Sequence, residues 1–225
     1  MDSTAHTVAM LLADARLPSG GHAFSAGVEP AIQGGLSRDD VGAFLRARAR
    51  TTTLVDAATA VVARRAALNG SSSYAPVERA WAARTPSLAA RTASTDLGRG
   101  LLRLAQRLWP RAPAIAALTD GDVTTPPRPI VLGAVAAHTG LDAETLVRVA
   151  VYDDMAGGVA ALLKLEPGDP VDGVRLVIDA CAAVDPLIMQ LAALTSPDAI
   201  PAASAPQAEA WTEAHAITNR RLFRA

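Results

Sequence analysis

Between residues 97 and 108 the apolar residues recur at the spacing of a helix. Leu97, Leu101, Leu104, Ala105 and Leu108 form one stripe, and Pro110 ends it. No competing period appears elsewhere: no segment of useful length alternates apolar with polar residues, and there is no internal repeat or heptad run. A chain of 225 residues patterned this way is expected to be an all-α, single-domain helical bundle. Capped periodic segments imply about eight to ten helices. The 50% hydrophobic content is inflated by alanine and aromatic residues make up only 4%, so helices are expected to approach closely through small side chains.

The punctuation divides the chain further. Ser94 is expected to cap the 97–108 stripe. Ser37 followed by Asp40 resembles a capping box and opens a helix with Val41, Phe44 and Leu45 on one face. Leu54, Ala58, Val61, Val62 and Leu68 extend the pattern to a stop at Asn69-Gly70, with Thr51–Thr53 bending the element without ending it. Val77–Ala90 reads as a helix carrying Trp81 and interrupted at Pro86. Residues 119–129 are a turn-rich exposed connection. Ile130–Thr139 then reads as a buried helix closed by Gly140, and Asp142 caps the next. Gly157-Gly158 mark a weak point, 166–170 a break, and Val171–Leu194 one long helix kinked at Pro186. Within a single domain spanning 1–225, residues 197–206 read as a mobile linker and 207–225 as a terminal helix and tail.

Charge and cysteine content exclude several classes. A net charge of −1 gives no global attraction to nucleic acid or to an anionic membrane, although arginines cluster locally. No run approaches the roughly 20 apolar residues needed to span a bilayer. Cys181 is the single cysteine, which precludes an internal disulfide and fits a reducing, cytoplasmic setting. His6, His22, His138 and His215 are too scattered for a local metal motif, so no resident metal or cofactor is expected.

The segment LPSGGHAFSAGVE at 17–29 is the densest punctuation in the chain. Gly20, Gly21 and Gly27 call for a special turn or a close backbone approach. A phosphate loop is excluded, because His22 and Ala23 stand where Lys and Ser or Thr are required. What remains is a tight helix-loop-helix corner in which Pro18 fixes one φ and Phe24 anchors the loop. Ser25 is expected to cap a helix starting near Ala26, with Glu29 in its first turn. A competing reading makes His22, Ser25 and Glu29 the parts of a helical hydrolase, although neither a nucleophile elbow nor a strand precedes Ser25. A third makes the chain a helical regulatory binding protein. Asp153-Asp154 read as carboxylates on an exposed turn. The tail sets Leu222-Phe223 among arginines, which suits either a partner's groove or docking on the chain's own core.

Together the loop and the tail resemble the urease accessory protein F (UreF) family. Leu17-Pro18-Ser19-Gly20-Gly21 and Ser25-Ala26-Gly27-Val28-Glu29 match its opening motifs, and His215 with Arg221-Leu222-Phe223-Arg224-Ala225 matches its end pattern. Leu97–Ala105 resembles the family's central G-R-x-L-L-x-L-A helix, and Pro129–Leu141 a further segment. Departures from the pattern are His22, Lys164 in place of Arg, and Ala216 in place of an acid.

The resemblance implies a helical, homodimeric, non-enzymatic scaffold. It would bridge a UreD/UreH-type protein and a UreG-type GTPase on apo-urease during nickel-dependent maturation, with nickel and GTP handled by those partners. It assigns partner contacts to Pro18, Gly20, Gly21, His22, Ser25, Gly27 and Glu29 in the loop. At the other end it assigns them to His215, Arg221, Leu222, Phe223 and Arg224.

Overall fold

A computed structural model describes residues 3–71, 73–120, 125–218 and 222–223. Among them lie ten helices of eight residues or more. These are α1 (Ser3–Leu12), α3 (Val41–Ala49), α4 (Thr52–Leu68), α5 (Ala75–Ala83), α6 (Leu88–Leu108), α7 (Pro113–Asp120), α8 (Arg128–Thr139), α9 (Ala143–Leu165), α10 (Pro170–Ala182) and α12 (Pro206–Ala216). Two short helices, α2 (Val28–Gln33) and α11 (Ile188–Ala192), complete the set, and no described residue lies in a strand ladder. The expected all-α domain is what the chain forms.

Helices α4, α8 and α9 make the centre. The α4 sequence is apolar on nearly every side, and Leu54, Val55, Val61 and Val62 are buried together with five of its alanines and threonines at Ala57, Ala58, Thr59, Ala60 and Ala63. Small residues allow α8 to press against it. A β-carbon at Gly133 would overlap the Ala60 carbonyl oxygen and stand 2.7 Å from Ala63 Cβ, so glycine is required by contact and not by conformation. The glycines of α6 work the same way: a side chain at Gly98 would overlap Pro126, and one at Gly100 would overlap the Ser19 carbonyl. Thus α6 receives the backbone of the 17–29 loop directly.

Local chemistry explains where expectation and structure agree. Asp142 caps α9 by accepting from Thr145 N at 2.8 Å, and Gly140, at φ 72°, closes α8. Ser37 Oγ accepts from Asp40 N and donates to Asp40 Oδ2, although the turn that it caps is a single 3-10 turn leading into α3.

Five boundaries differ. Ser87, not Ser94, caps α6: its Oγ accepts from Ala90 N at 3.0 Å, while Ser94 is buried inside the helix. Thr51 separates α3 from α4 rather than bending one helix, because its hydroxyl donates back to Ala47 O at 2.8 Å and its own backbone leaves the helical region. Helix α9 runs unbroken through Gly157-Gly158. Gly158 lets Leu45 and Val28 approach, and Gly157 has nothing within 4 Å of its β-carbon site. The 171–194 stretch is split into α10, a 3-10 turn at Asp185–Leu187 and α11, with Pro186 inside the turn. Residues 197–206, expected to form a linker, lie against α5. Ile200 is buried, and Arg84 donates to its carbonyl at 2.6 Å and to that of Asp198 at 3.1 Å. Part of the expected 119–129 connection, residues 121–124, lies outside the described residues.

Candidate functional site

The 17–29 loop leaves α1 through a tight turn and returns through α2. Gly20 (φ 87°) and Gly27 (φ 76°) adopt the left-handed conformation, and Ala26 (φ 49°) is the one described non-glycine residue at positive φ. A left-handed alanine costs about 1–2 kcal/mol, so the surrounding contacts must hold it. Ser25 is fully buried, and its Oγ accepts from Glu29 N at 3.4 Å. It therefore marks the entry to α2, which begins at Val28 and not near Ala26.

That entry places Glu29 where water does not reach. Its side chain is 3% exposed. Burying an ionised carboxylate costs several kcal/mol unless it is paired and hydrogen-bonded. Three groups meet that demand with hydrogen bonds, and two of them come from the far end of the chain. Oε1 accepts from Leu222 N at 2.7 Å and from Gln33 Nε2 at 3.3 Å, while Oε2 accepts from Phe223 N at 2.8 Å. His215 Nε2 stands 3.1 Å from Oε2, at ion-pair distance but outside hydrogen-bond geometry, and the imidazole is 1% exposed. One carboxylate thus holds the entry of α2, the end of α12 and the tail together.

The two tail residues take opposite directions. Phe223 is buried, with Lys164 Nζ 5.3 Å from its ring centroid. Leu222 is 64% exposed. Phe223 therefore docks on its own chain, while Leu222 faces outward. Arg221 and Arg224 lie outside the described residues.

The hydrolase reading is not assembled. Among the described residues Ser25 Oγ is bonded to Glu29 N and to no imidazole, His22 is exposed, and Glu29 is committed to the tail.

Beneath the same loop lies a cavity of about 150 Å³, walled by Ser19, Phe24 and Gly27 of the loop and by α3, α4, α6, α8 and α9. Charged residues that are distant in sequence converge on it. Arg48 makes a two-pronged pair with Asp154, Nε to Oδ2 at 2.8 Å and Nη2 to Oδ1 at 3.0 Å, and Thr53 also donates to Oδ2. Arg128 Nη2 donates to Asp153 Oδ2 at 2.8 Å. Asp56 accepts from Trp81 Nε1 at 2.8 Å, and burial pushes its carboxyl up from 3.8 to about 6 against the pull of that bond. Asp153 and Asp154 are therefore not the solvated turn expected of them. The available signal was their position in α9, between the buried Val151 and Met155, where carboxylates need partners.

Fold and site together define a class: an all-α bundle in which a buried carboxylate grips its own chain's backbone. The comparisons carry this further. A family model described as UreF matches residues 36–181. The chain is 38% identical over 231 aligned positions to "Urease accessory protein UreF" of Mycobacterium marinum, covering 96% of the chain and 98% of that protein. A protein of the same name from Mycobacterium sp. (strain JLS) is 42% identical over 171 residues, 74% of the chain and 77% of its own length. Its counterpart in Mycolicibacterium vanbaalenii is 40% identical over 165 residues, 71% and 74% respectively. The chain belongs to the UreF family of urease accessory proteins.

Proposed function

We propose that the chain is a non-catalytic scaffold of urease maturation. It bridges a UreD/UreH-type protein and a UreG-type GTPase on apo-urease, acts as a homodimer in the cytoplasm, and leaves nickel and GTP to those partners. The observation that carries this reading is the Glu29 junction, which fixes the tail on the signature loop while directing Leu222 outward. Two segments that read as partner-binding from the sequence form one patch. In this reading Pro18, Gly20, Gly21 and Gly27 set the loop's shape, and His22 lies on its exposed side. Ser25, Glu29 and His215 act from beneath by positioning. A second apolar row supports a life in assemblies: Val171, Val174 and Ile178 on α10 are 54%, 58% and 61% exposed.

The test is pull-down with UreD/UreH-type and UreG-type proteins, using the full chain and a chain lacking its last five residues. The full chain is expected to capture both partners, and the truncated one to lose the UreD/UreH-type protein. Undiminished capture after truncation removes the tail from this role.

A further inference from the structure

The outer face of α6 carries a charge row that neither the tail junction nor the cavity uses. Between residues 97 and 119 the sequence has four arginines and no acidic residue, in a chain whose net charge is −1. Arg99, Arg103 and Arg107 stand at i, i+4 and i+8 of the helix and are exposed, a row about 12 Å long. Arg111 is exposed just beyond the helix end. Arg99 is paired with Asp96 at 2.6 Å, whereas Arg103, Arg107 and Arg111 have no carboxylate at ion-pair distance among the described residues. Elsewhere arginines are used internally: Arg48, Arg128 and Arg148 hold aspartates, and Arg64 and Arg84 donate to carbonyls. Like charges one helical turn apart disfavour the helix that carries them, so the row does not stabilise α6.

An apolar row runs beside it. Leu104 and Leu108 each follow an arginine by one position, and with Leu11 of α1 they line a narrow groove of about 30 Å³ over the buried Leu101, Ala105 and Val135. Leu108 is 53% and Leu11 47% exposed. The two rows together define what fits them. Carboxylates one turn apart on a second helix repeat at the spacing of Arg103 and Arg107, and each takes a guanidinium fork two-pronged. A leucine-sized side chain between them reaches the groove, as in other helix-in-groove contacts. A nucleic-acid backbone would satisfy the arginines but leave the groove unfilled, and the net charge gives it no long-range attraction.

We propose that this surface docks an acidic amphipathic helix of a partner protein, its carboxylates on Arg103 and Arg107 and an apolar side chain in the groove of Leu11, Leu104 and Leu108. The inference goes beyond the scaffold reading, because it uses none of the loop and tail residues and its test needs no urease protein.

Fluorescence anisotropy of the full-length protein with a labelled peptide of about 20 residues, repeating Leu and Glu at helical spacing, tests it. The control peptide has Lys at every Glu position. Saturable binding of the Glu peptide, weakened by raising salt to about 0.5 M, and none of the Lys peptide, is the expected result. Arg103→Gln with Arg107→Gln is expected to weaken binding about ten-fold or more, and Leu108→Ala several-fold, with Tm unchanged because these side chains are exposed. Arg46→Gln with Arg50→Gln removes an exposed arginine pair of the same spacing on α3 and is expected to leave binding unchanged. Four results overturn the proposal: no saturable binding of the Glu peptide, equal binding after the α6 double substitution, equal loss after the α3 one, or binding of phosphatidylglycerol vesicles or single-stranded DNA through Arg103 and Arg107 in preference to the peptide. The last reassigns the row to a membrane surface or a nucleic acid.

Discussion

Asp56 shows how a single carboxyl reports its surroundings. Burial pushes its pKa from 3.8 to about 6, so the folded protein holds this proton more tightly than the unfolded chain does. Its contribution is most favourable below pH 3.8 and is lost as pH rises through the interval to about 6. A shift of this size corresponds to about 3 kcal/mol. Denaturant unfolding of the native protein and Asp56→Asn at a series of pH values between 4 and 7 measures it. The difference in stability between the two is expected to drift by that order across the interval, with the native protein losing ground as pH rises. Trp81, Arg48, Arg128 and Asp154 all act on the same group.

At the scale of helices, the glycines sort into those that permit contact and those that merely occur. Gly133 lies where α8 meets α4, and its β-carbon would overlap the Ala60 carbonyl. Gly133→Ala is expected to cost about 1–3 kcal/mol or more, because two backbones must separate to admit one methyl group. Gly157 is inside α9 with nothing near its β-carbon site. Gly157→Ala is expected to stabilise by about 0.5–1 kcal/mol, the helix-interior difference between the two residues. Thermal or urea denaturation of both variants checks the opposite signs.

The helices themselves were legible where their signals are local. Asp142 and Gly140 stand within four residues of the groups they satisfy, and both boundaries fall where the sequence puts them. Ser94 misled because it precedes the leucine stripe as a cap would. The actual cap, Ser87, is stabilised from outside the helix, its hydroxyl donating to Glu213 Oε1 at 2.7 Å. Thr51 is a similar case, a helix ended by a side chain bonding backward in a sequence otherwise apolar enough to continue. The cavity was illegible for a different reason: Arg48, Asp56, Arg128 and Asp153 sit on four helices, and only packing brings them together.

For the whole molecule the decisive contact is Glu29 with Leu222 and Phe223, at sequence separations of 193 and 194. The two motifs could be recognised separately, but no pattern within either says that one grips the other. Glu29→Gln keeps one acceptor oxygen and replaces the other with a donor facing the Phe223 amide and His215. The substitution is expected to destabilise the protein by about 1–3 kcal/mol. Hydrogen exchange should locate the loss at the amides of Leu222 and Phe223, with the α4, α8 and α9 core amides still protected. Uniform loss of protection would mean that the junction supports the entire bundle and not the tail alone.

Because Glu29 holds the tail by main-chain N–H groups, its grip does not depend on which side chain stands at 222. Any residue except proline offers the same donor. The exposed side chain at 222 is therefore free to change over evolutionary time without the tail coming loose. The backbone handle and the chemistry of the exposed side chain are thus separable.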